Sequence, residues 1–323
     1  MKPKVYVTRH LPESAWRKLS EACEAQSWDE VTPPPYKTIL EQVKDKDGLL
    51  CLLTDEIDSA LMDSAPKLRV ISQCAVGYDN IDVNAATERG ILVGNTPGVL
   101  TDATADFAFA LLLAAARRLG EAIDFVRAGK WETWGLTLLL GQEVYGATLG
   151  ILGLGRIGHA VAKRARGFDM RILYHDTVRR SDAEATLGVE YRDFDDLLRE
   201  SDYVSLHVNL SEETRHLIDN HAFKIMKPSA VLINTARGPV VDTEALYDAL
   251  REGQIAYAAL DVTDPEPLPA DHKLMELPNV IVAPHIASAT VTSRTQMALI
   301  AVENLISGLQ GDPMPHCVNP EVG

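Results

Sequence analysis

A chain of 323 residues, 46% apolar and 24% charged, has the length for two domains and the composition of a soluble globular protein. Its formal net charge of −15 argues against nucleic acid or an anionic membrane surface as partner, while leaving room for a local positive site. The scattered Cys23, Cys51, Cys74 and Cys317 suit a reducing cytoplasm and neither a disulfide framework nor a metal site, and the longest apolar run, 107–116, falls short of the about 20 residues that a bilayer demands.

The chain opens with no signal-peptide pattern and reads directly into a strand at 4–8, then a helix at 13–23, with Pro33-Pro34-Pro35 marking a surface loop. Buried-type strands follow at 48–53 and 68–74, then a helix at 82–89 stopped by Gly90, and a strand at 91–94. Strands alternating with helices predict a parallel sheet covered on both faces. A long apolar helix starts at Thr101 or Asp102 as N-cap and runs to about Gly120; a second piece, 121–128, ends at Gly129, with Trp131 and Trp134 in the loop beyond. Alternation resumes with strands at 147–152, 171–174, 203–207, 230–234, 256–261 and 280–283, and a last helix covers 292–308. The tail is too short for a third domain, and the first 100 residues lack a closing element. One discontinuous domain, 1–100 with 288–323, is therefore expected, with 101–287 inserted into it. Helices 101–119 and 290–308 are expected to cross the hinge, and a cleft between the domains would be a usual place for a small-molecule site.

The most specific motif is Gly153-Leu154-Gly155-Arg156-Ile157-Gly158, a G-x-G-x-x-G turn between a predicted strand and a predicted helix. In that context the first glycine permits the tight turn, the second lets backbone approach a pyrophosphate, and the third lets helix pack on strand. Arg156 and Ile157 open a helix whose N-terminal N–H groups and dipole attract phosphate. Asp176, at the end of the next strand, is placed to accept from a ribose 2′-OH and to repel a 2′-phosphate, which favours NAD; Arg179 and Arg180 beside it keep NADP as the alternative.

Three further residues each follow a predicted strand: Arg237, Glu266 and His285. Ligands of open α/β sheets bind beyond the carboxyl ends of strands, so all three are expected on the rim that carries the glycine turn. Singly, Arg237 reads as a surface ion pair, Glu266 as part of a solvated loop between prolines, and His285 as a structural hydrogen-bonder. Together they form a chemical set. Hydride transfer to a 2-oxo acid needs a proton donor, which His supplies near neutral pH; a carboxylate beside it stabilises the imidazolium; an Arg holds a carboxylate bidentately and polarises the adjacent carbonyl.

These motifs, with 234–238, 261–267 and 284–288 in order at fitting spacings, resemble the D-isomer-specific 2-hydroxyacid dehydrogenase family over essentially the whole chain. The resemblance implies an α/β fold of two doubly wound parallel-sheet domains, a Rossmann cofactor domain inserted into a flavodoxin-like substrate domain. It implies that Arg237 binds and polarises substrate, that His285 is the general acid/base and that Glu266 is its partner. Thr104 and Asp261 would lie near the nicotinamide, Thr235 and Ala236 would line the cofactor, backbone N–H groups of Val76 and Gly77 would hold the substrate carboxylate, and Leu53 would line the same pocket. The closest resemblance is to glyoxylate/hydroxypyruvate (glycerate) reductases, implying NAD-dependent reduction of a small 2-oxo acid, no metal, and a homodimer. In such reductases a residue like Trp134 reaches the partner's cleft; burial in its own subunit is the alternative. Departures narrow the choice. Formate dehydrogenases have Gln at the Glu266 position, phosphite dehydrogenase has Lys at the Val76 position, and Asn209 replaces a usual proline with a small expected effect near the cofactor. Larger 2-oxo acids, phosphite, or a dinucleotide-sensing corepressor role are the rival readings.

Overall fold

The computed structural model describes residues 1–322 and divides into two compact units, Met1–Leu100 with the segment from Ala289 onward, and Thr101–Ser288. Each is built on an all-parallel sheet with helices on its faces, an α/β fold.

The first unit holds β1 (Lys4–Val7), β2 (Glu24–Ser27), β3 (Gly48–Cys51), β4 (Val70–Gln73) and β5 (Leu92–Gly94), ordered β2-β1-β3-β4-β5. This is the flavodoxin-like order, with its switch point between β1 and β3. β3 and β4 are buried throughout, as strands covered on both faces must be. The helix Val291–Gln310 is capped by the Thr290 hydroxyl, which accepts from the Ser293 N–H at 3.0 Å. It packs against β3, β4 and β5, with Ala298, Ala301, Val302 and Leu305 buried.

The second unit holds β6 (Thr148–Leu152), β7 (Arg171–His175), β8 (Glu190–Tyr191), β9 (Tyr203–Leu206), β10 (Val231–Asn234), β11 (Tyr257–Leu260) and β12 (Val280–Val282), ordered β12-β11-β10-β9-β6-β7-β8. The strand order reverses between β6 and β9, which is where a doubly wound sheet binds dinucleotides. The helix Thr101–Ala116 buries Ala105, Ala108, Phe109, Leu112 and Ala115, and its small residues let it approach the helix Arg156–Ala165 as well as β10 and β11.

Both long helices expected to cross a hinge belong instead to one unit each. Thr101 and Asp102 are the first helical residues rather than caps, and the helix ends at Ala116 because Arg118 turns left-handed (φ 51°) before a separate helix, Leu119–Arg127. Pro34 is buried within its otherwise exposed proline loop. Among the described residues, no helix is long and apolar enough to cross a membrane, and the four cysteines are unbridged.

Candidate active site

Several helices here begin under an aspartate: Asp219 accepts from the His221 and Ala222 N–H groups, both at 2.9 Å, and Asp242 from those of Glu244 and Ala245 at 3.0 and 3.1 Å. The helix Arg156–Ala165 begins at Gly155 with no side-chain cap, so its first N–H groups stay available to a ligand. Gly153 has φ 89°, and a Cβ there would meet the His207 backbone at 2.8 Å; at Gly158 a Cβ would sit 2.2 Å from the Gly153 carbonyl oxygen. Gly155 faces open space, with nothing within 4 Å of such a Cβ. Gly155 and Arg156 are exposed and Ile157 half-buried, so the turn is a tight cradle open on one side, as a pyrophosphate requires.

Asp176 follows β7 directly, and its Oδ2 accepts from the Leu154 N–H at 2.9 Å, tying it to the middle of the glycine turn. Thr104 is buried in the first turn of its helix. Thr235 is also buried, and its Oγ1 has no hydrogen-bond partner. A buried hydroxyl left unpaired costs about 1–3 kcal/mol, a deficit that a bound polar ligand removes. These features fit a dinucleotide. Asn209 is exposed, and its carbonyl oxygen accepts from the Thr214 hydroxyl at 2.6 Å.

The loop after β10 is shaped by Asn234, whose Oδ1 accepts from the Ala236 N–H (3.0 Å) and whose Nδ2 donates to the Arg237 carbonyl (2.8 Å). Gly238 lies so close to the loop after β11 that a Cβ would strike the Thr263 carbonyl oxygen at 1.9 Å. That closeness puts the Arg237 loop beside the Glu266 loop. The His285 ring Nδ1 and Glu266 Oε1 are 2.6 Å apart, and the Thr263 N–H donates to Glu266 Oε2 at 3.3 Å. Burial pushes the Glu266 carboxyl up, but the His285 hydrogen bond and charge, the Thr263 N–H and the Arg237 charge outweigh it and hold the group below the ordinary carboxylate range. Arg237, Glu266 and His285 are thus one electrostatic cluster at the carboxyl ends of β10, β11 and β12.

His285 itself has φ 55°, a left-handed backbone uncommon outside glycine. Asp261, 1% exposed, holds it there. Its carbonyl accepts from the His285 N–H (2.8 Å), its Oδ1 from Ile286 (2.8 Å) and its Oδ2 from Ala287 (2.7 Å). Sequence reasoning expected Asp261 only beside a nicotinamide; the grip on three successive N–H groups carries no local sequence signal.

In the first unit, Leu53 follows β3, and Val76 and Gly77 follow β4, all half-buried. The Ala75 carbonyl accepts from the Thr96 N–H (2.8 Å) and the Val76 carbonyl from Asn95 Nδ2 (2.8 Å). In a trans peptide N–H and C=O point opposite ways, so these two bonds turn the Val76 and Gly77 N–H groups together in the other direction. Gln73 and Asn80, which sequence reasoning passed over, stitch this loop to the one carrying Leu53: Gln73 Nε2 donates to Asn80 Oδ1 (2.6 Å), and Asn80 Nδ2 to the Leu52 and Asp55 carbonyls (3.1 and 2.7 Å). Trp134 is 76% exposed in its own chain, which corrects the alternative that it is buried there.

Residues 109–287 match the family described as D-isomer specific 2-hydroxyacid dehydrogenase, NAD binding domain. A curated relative, a glyoxylate reductase of Korarchaeum cryptofilum, is 56% identical over 323 residues, covering 100% of this chain and 97% of the relative. The crystal structure of the TT0316 protein from Thermus thermophilus superposes with a TM-score of 0.92 at 47% identity, covering 98% of this chain and 99% of that one. An NADPH-dependent glyoxylate/hydroxypyruvate reductase from Sinorhizobium meliloti, solved with NADP and malonate, gives 0.88 at 32% identity, covering 99% and 98%. The chain belongs to the D-isomer specific 2-hydroxyacid dehydrogenases, NAD-binding oxidoreductases that interconvert 2-oxo and 2-hydroxy acids.

Proposed function

We propose that this chain reduces glyoxylate, and hydroxypyruvate as a second substrate, to the 2-hydroxy acid with NADH, as a cytoplasmic homodimer. The observation that carries the reading is the 2.6 Å His285–Glu266 pair beside Arg237. Bound NADH supplies the hydride to C2 of the substrate. Glu266 accepts from the Nδ1–H of His285 and so favours the imidazolium, whose Nε2–H gives its proton to the developing alkoxide and leaves a neutral ring protonated on Nδ1. A proton from solvent restores the imidazolium beside Glu266 before the next turnover. Arg237 binds the substrate carboxylate and polarises the C2 carbonyl. In the first unit, the paired Val76 and Gly77 N–H groups are an anion cradle suited to a substrate carboxylate, with Leu53 lining it. Gly153, Gly155, Arg156, Ile157 and Gly158 hold the pyrophosphate, Asp176 the adenosine ribose, Thr104, Thr235 and Ala236 line the cofactor, and Asp261 sits at the nicotinamide end.

Relatives named glyoxylate reductase at about half identity support glyoxylate, and a neighbour named for both activities supports hydroxypyruvate. Unbridged thiols support the cytoplasm, and the exposed apolar side chains between Leu119 and Leu140 support the homodimer. The test is initial rates on glyoxylate, hydroxypyruvate, pyruvate and phenylpyruvate with NADH or NADPH, and on phosphite with NAD. The two small 2-oxo acids with NADH should give the highest kcat/KM, and His285→Ala should lower kcat by about 10²-fold or more. Turnover of no 2-oxo acid, or a His285→Ala enzyme with near-normal kcat, would defeat the proposal.

A further inference from the structure

Asp176 is followed by two arginines, Arg179 and Arg180, whose guanidinium charge and fork geometry are of the kind that binds a 2′-phosphate. Arg179 is not left to do so. Arg179 is joined to Glu184 by two parallel bonds, Nε to Oε1 at 2.8 Å and Nη2 to Oε2 at 2.9 Å, the fork geometry in which a guanidinium binds an anion most strongly. Glu184 is anchored in turn. Tyr174, buried in β7, donates its hydroxyl to Glu184 Oε1 at 2.7 Å and accepts the Arg180 N–H at 2.7 Å. The Arg179 guanidinium also lies 5.9 Å from the centre of the Tyr191 ring, which packs edge-on against Tyr174. Arg180 stands 3.8 Å from the Asp176 carboxylate.

An exposed ion pair usually contributes little, because two long side chains must be ordered to make it. This one differs on the acidic side. The Glu184 side chain is only 22% exposed and is fixed by a buried phenol, so the acceptor is set in advance of the pairing. A ligand that wants Arg179 has to displace a positioned carboxylate.

We propose that Glu184 is a cofactor-specificity residue: it withholds Arg179 from the 2′-phosphate of NADPH, and so reinforces Asp176 in favouring NADH. The inference rests on the reading of Asp176 as the ribose acceptor. It predicts a division of labour. Asp176 acts on the ribose itself, by offering an acceptor where NADPH brings a dianion. Glu184 acts one residue further out, by occupying the cation that would otherwise neutralise that dianion. Discrimination should therefore survive in part when either acid is removed alone.

The test is equilibrium binding of NADH and of NADPH to the apo chain, read by tryptophan or nucleotide fluorescence, for the wild type and for Glu184→Gln, Arg179→Ala, Arg179→Ala/Glu184→Gln and Asp176→Ala. Glu184→Gln should lower the Kd for NADPH relative to that for NADH by about 3- to 10-fold, the scale of one freed charge-assisted contact. The gain should vanish in Arg179→Ala/Glu184→Gln. Glu184→Ala, which leaves no amide to hold Arg179, repeats the test independently. A gain that persists without Arg179 would reduce the effect to long-range charge and overturn the proposal. So would a ratio that moves in Asp176→Ala but not in either Glu184 variant, which leaves the ribose reading standing. A ratio unmoved by Asp176→Ala as well would overturn both.

Discussion

The chemistry proposed for His285 depends on where its backbone is held. A histidine with φ 55° sits in a conformation that the surrounding structure has to impose, and Asp261 imposes it through both carboxylate oxygens and its own carbonyl. Asp261→Asn replaces one acceptor with an amide that donates toward an N–H already donating. One buried N–H loses its partner, at about 1–3 kcal/mol. The expected result is a kcat lower by about 10-fold or more, alongside a reduced urea midpoint, since small displacements of a proton donor are costly. A normal kcat would show that the His285 position does not need Asp261. Arg237, Glu266 and His285 were legible before any coordinates, because each is a chemically distinctive residue just past an apolar strand. Asp261 was expected only as a neighbour of the cofactor. Its hydrogen bonds reach 25 and 26 residues along the chain, and nothing in the local pattern marks them.

β9 connects the dinucleotide turn to the stability of its unit. Just past this strand, His207 has its Nε2 2.8 Å from the Ser205 hydroxyl, and its backbone is what leaves no room for a side chain at Gly153. Burial pushes the imidazole down to about 4. The unfolded chain protonates this group near its ordinary 6.5 and the folded chain only near 4, so below 6.5 the unfolded state binds the extra proton. The stability held above pH 6.5 is therefore lost as the pH falls to about 4, by up to about 3 kcal/mol for this residue, and levels off below. Urea unfolding between pH 7.5 and 4 should show His207→Asn losing less stability over that window than the wild type; parallel curves would rule out His207 as the group responsible. The strands flanking β9 were legible as short, mainly apolar runs. β2 and β8, with the sequences EAQS and EY, were not. Each is an edge strand with one neighbour and a partly exposed face, so it carries no apolar signal. The supposed hinge helices failed for another reason: the periodicity marks a helix but does not say which sheet it lies on, and the Thr290 cap starts the last helix already inside the first unit.

At the scale of the molecule, the segment between Leu119 and Leu140 places no residue in either core. The helix Leu119–Arg127 has no buried residue, and Ile123, Val126, Trp131, Trp134 (76%), Leu136 (80%) and Leu140 are all exposed. Apolar side chains this concentrated mark an interaction surface rather than a solvated one. A second copy of the same chain satisfies it most simply, since a two-fold axis lets one patch cover itself. The proposed dimer would have to overcome a net charge of −15 on each chain, so added salt should strengthen it by screening the repulsion. The wild type should sediment at twice 35.3 kDa at micromolar concentration. Replacing two patch residues, Ile123→Asp with Leu136→Asp, should weaken dimerisation by about 10²-fold or more, because buried apolar anchors dominate such interfaces. The same variant should shift tryptophan emission to the red as Trp131 and Trp134 return to water, while Trp16 and Trp28, in the other unit, report no change. A wild-type chain that stays monomeric across the micromolar range, or a double variant that sediments unchanged, would remove this segment as the dimer surface.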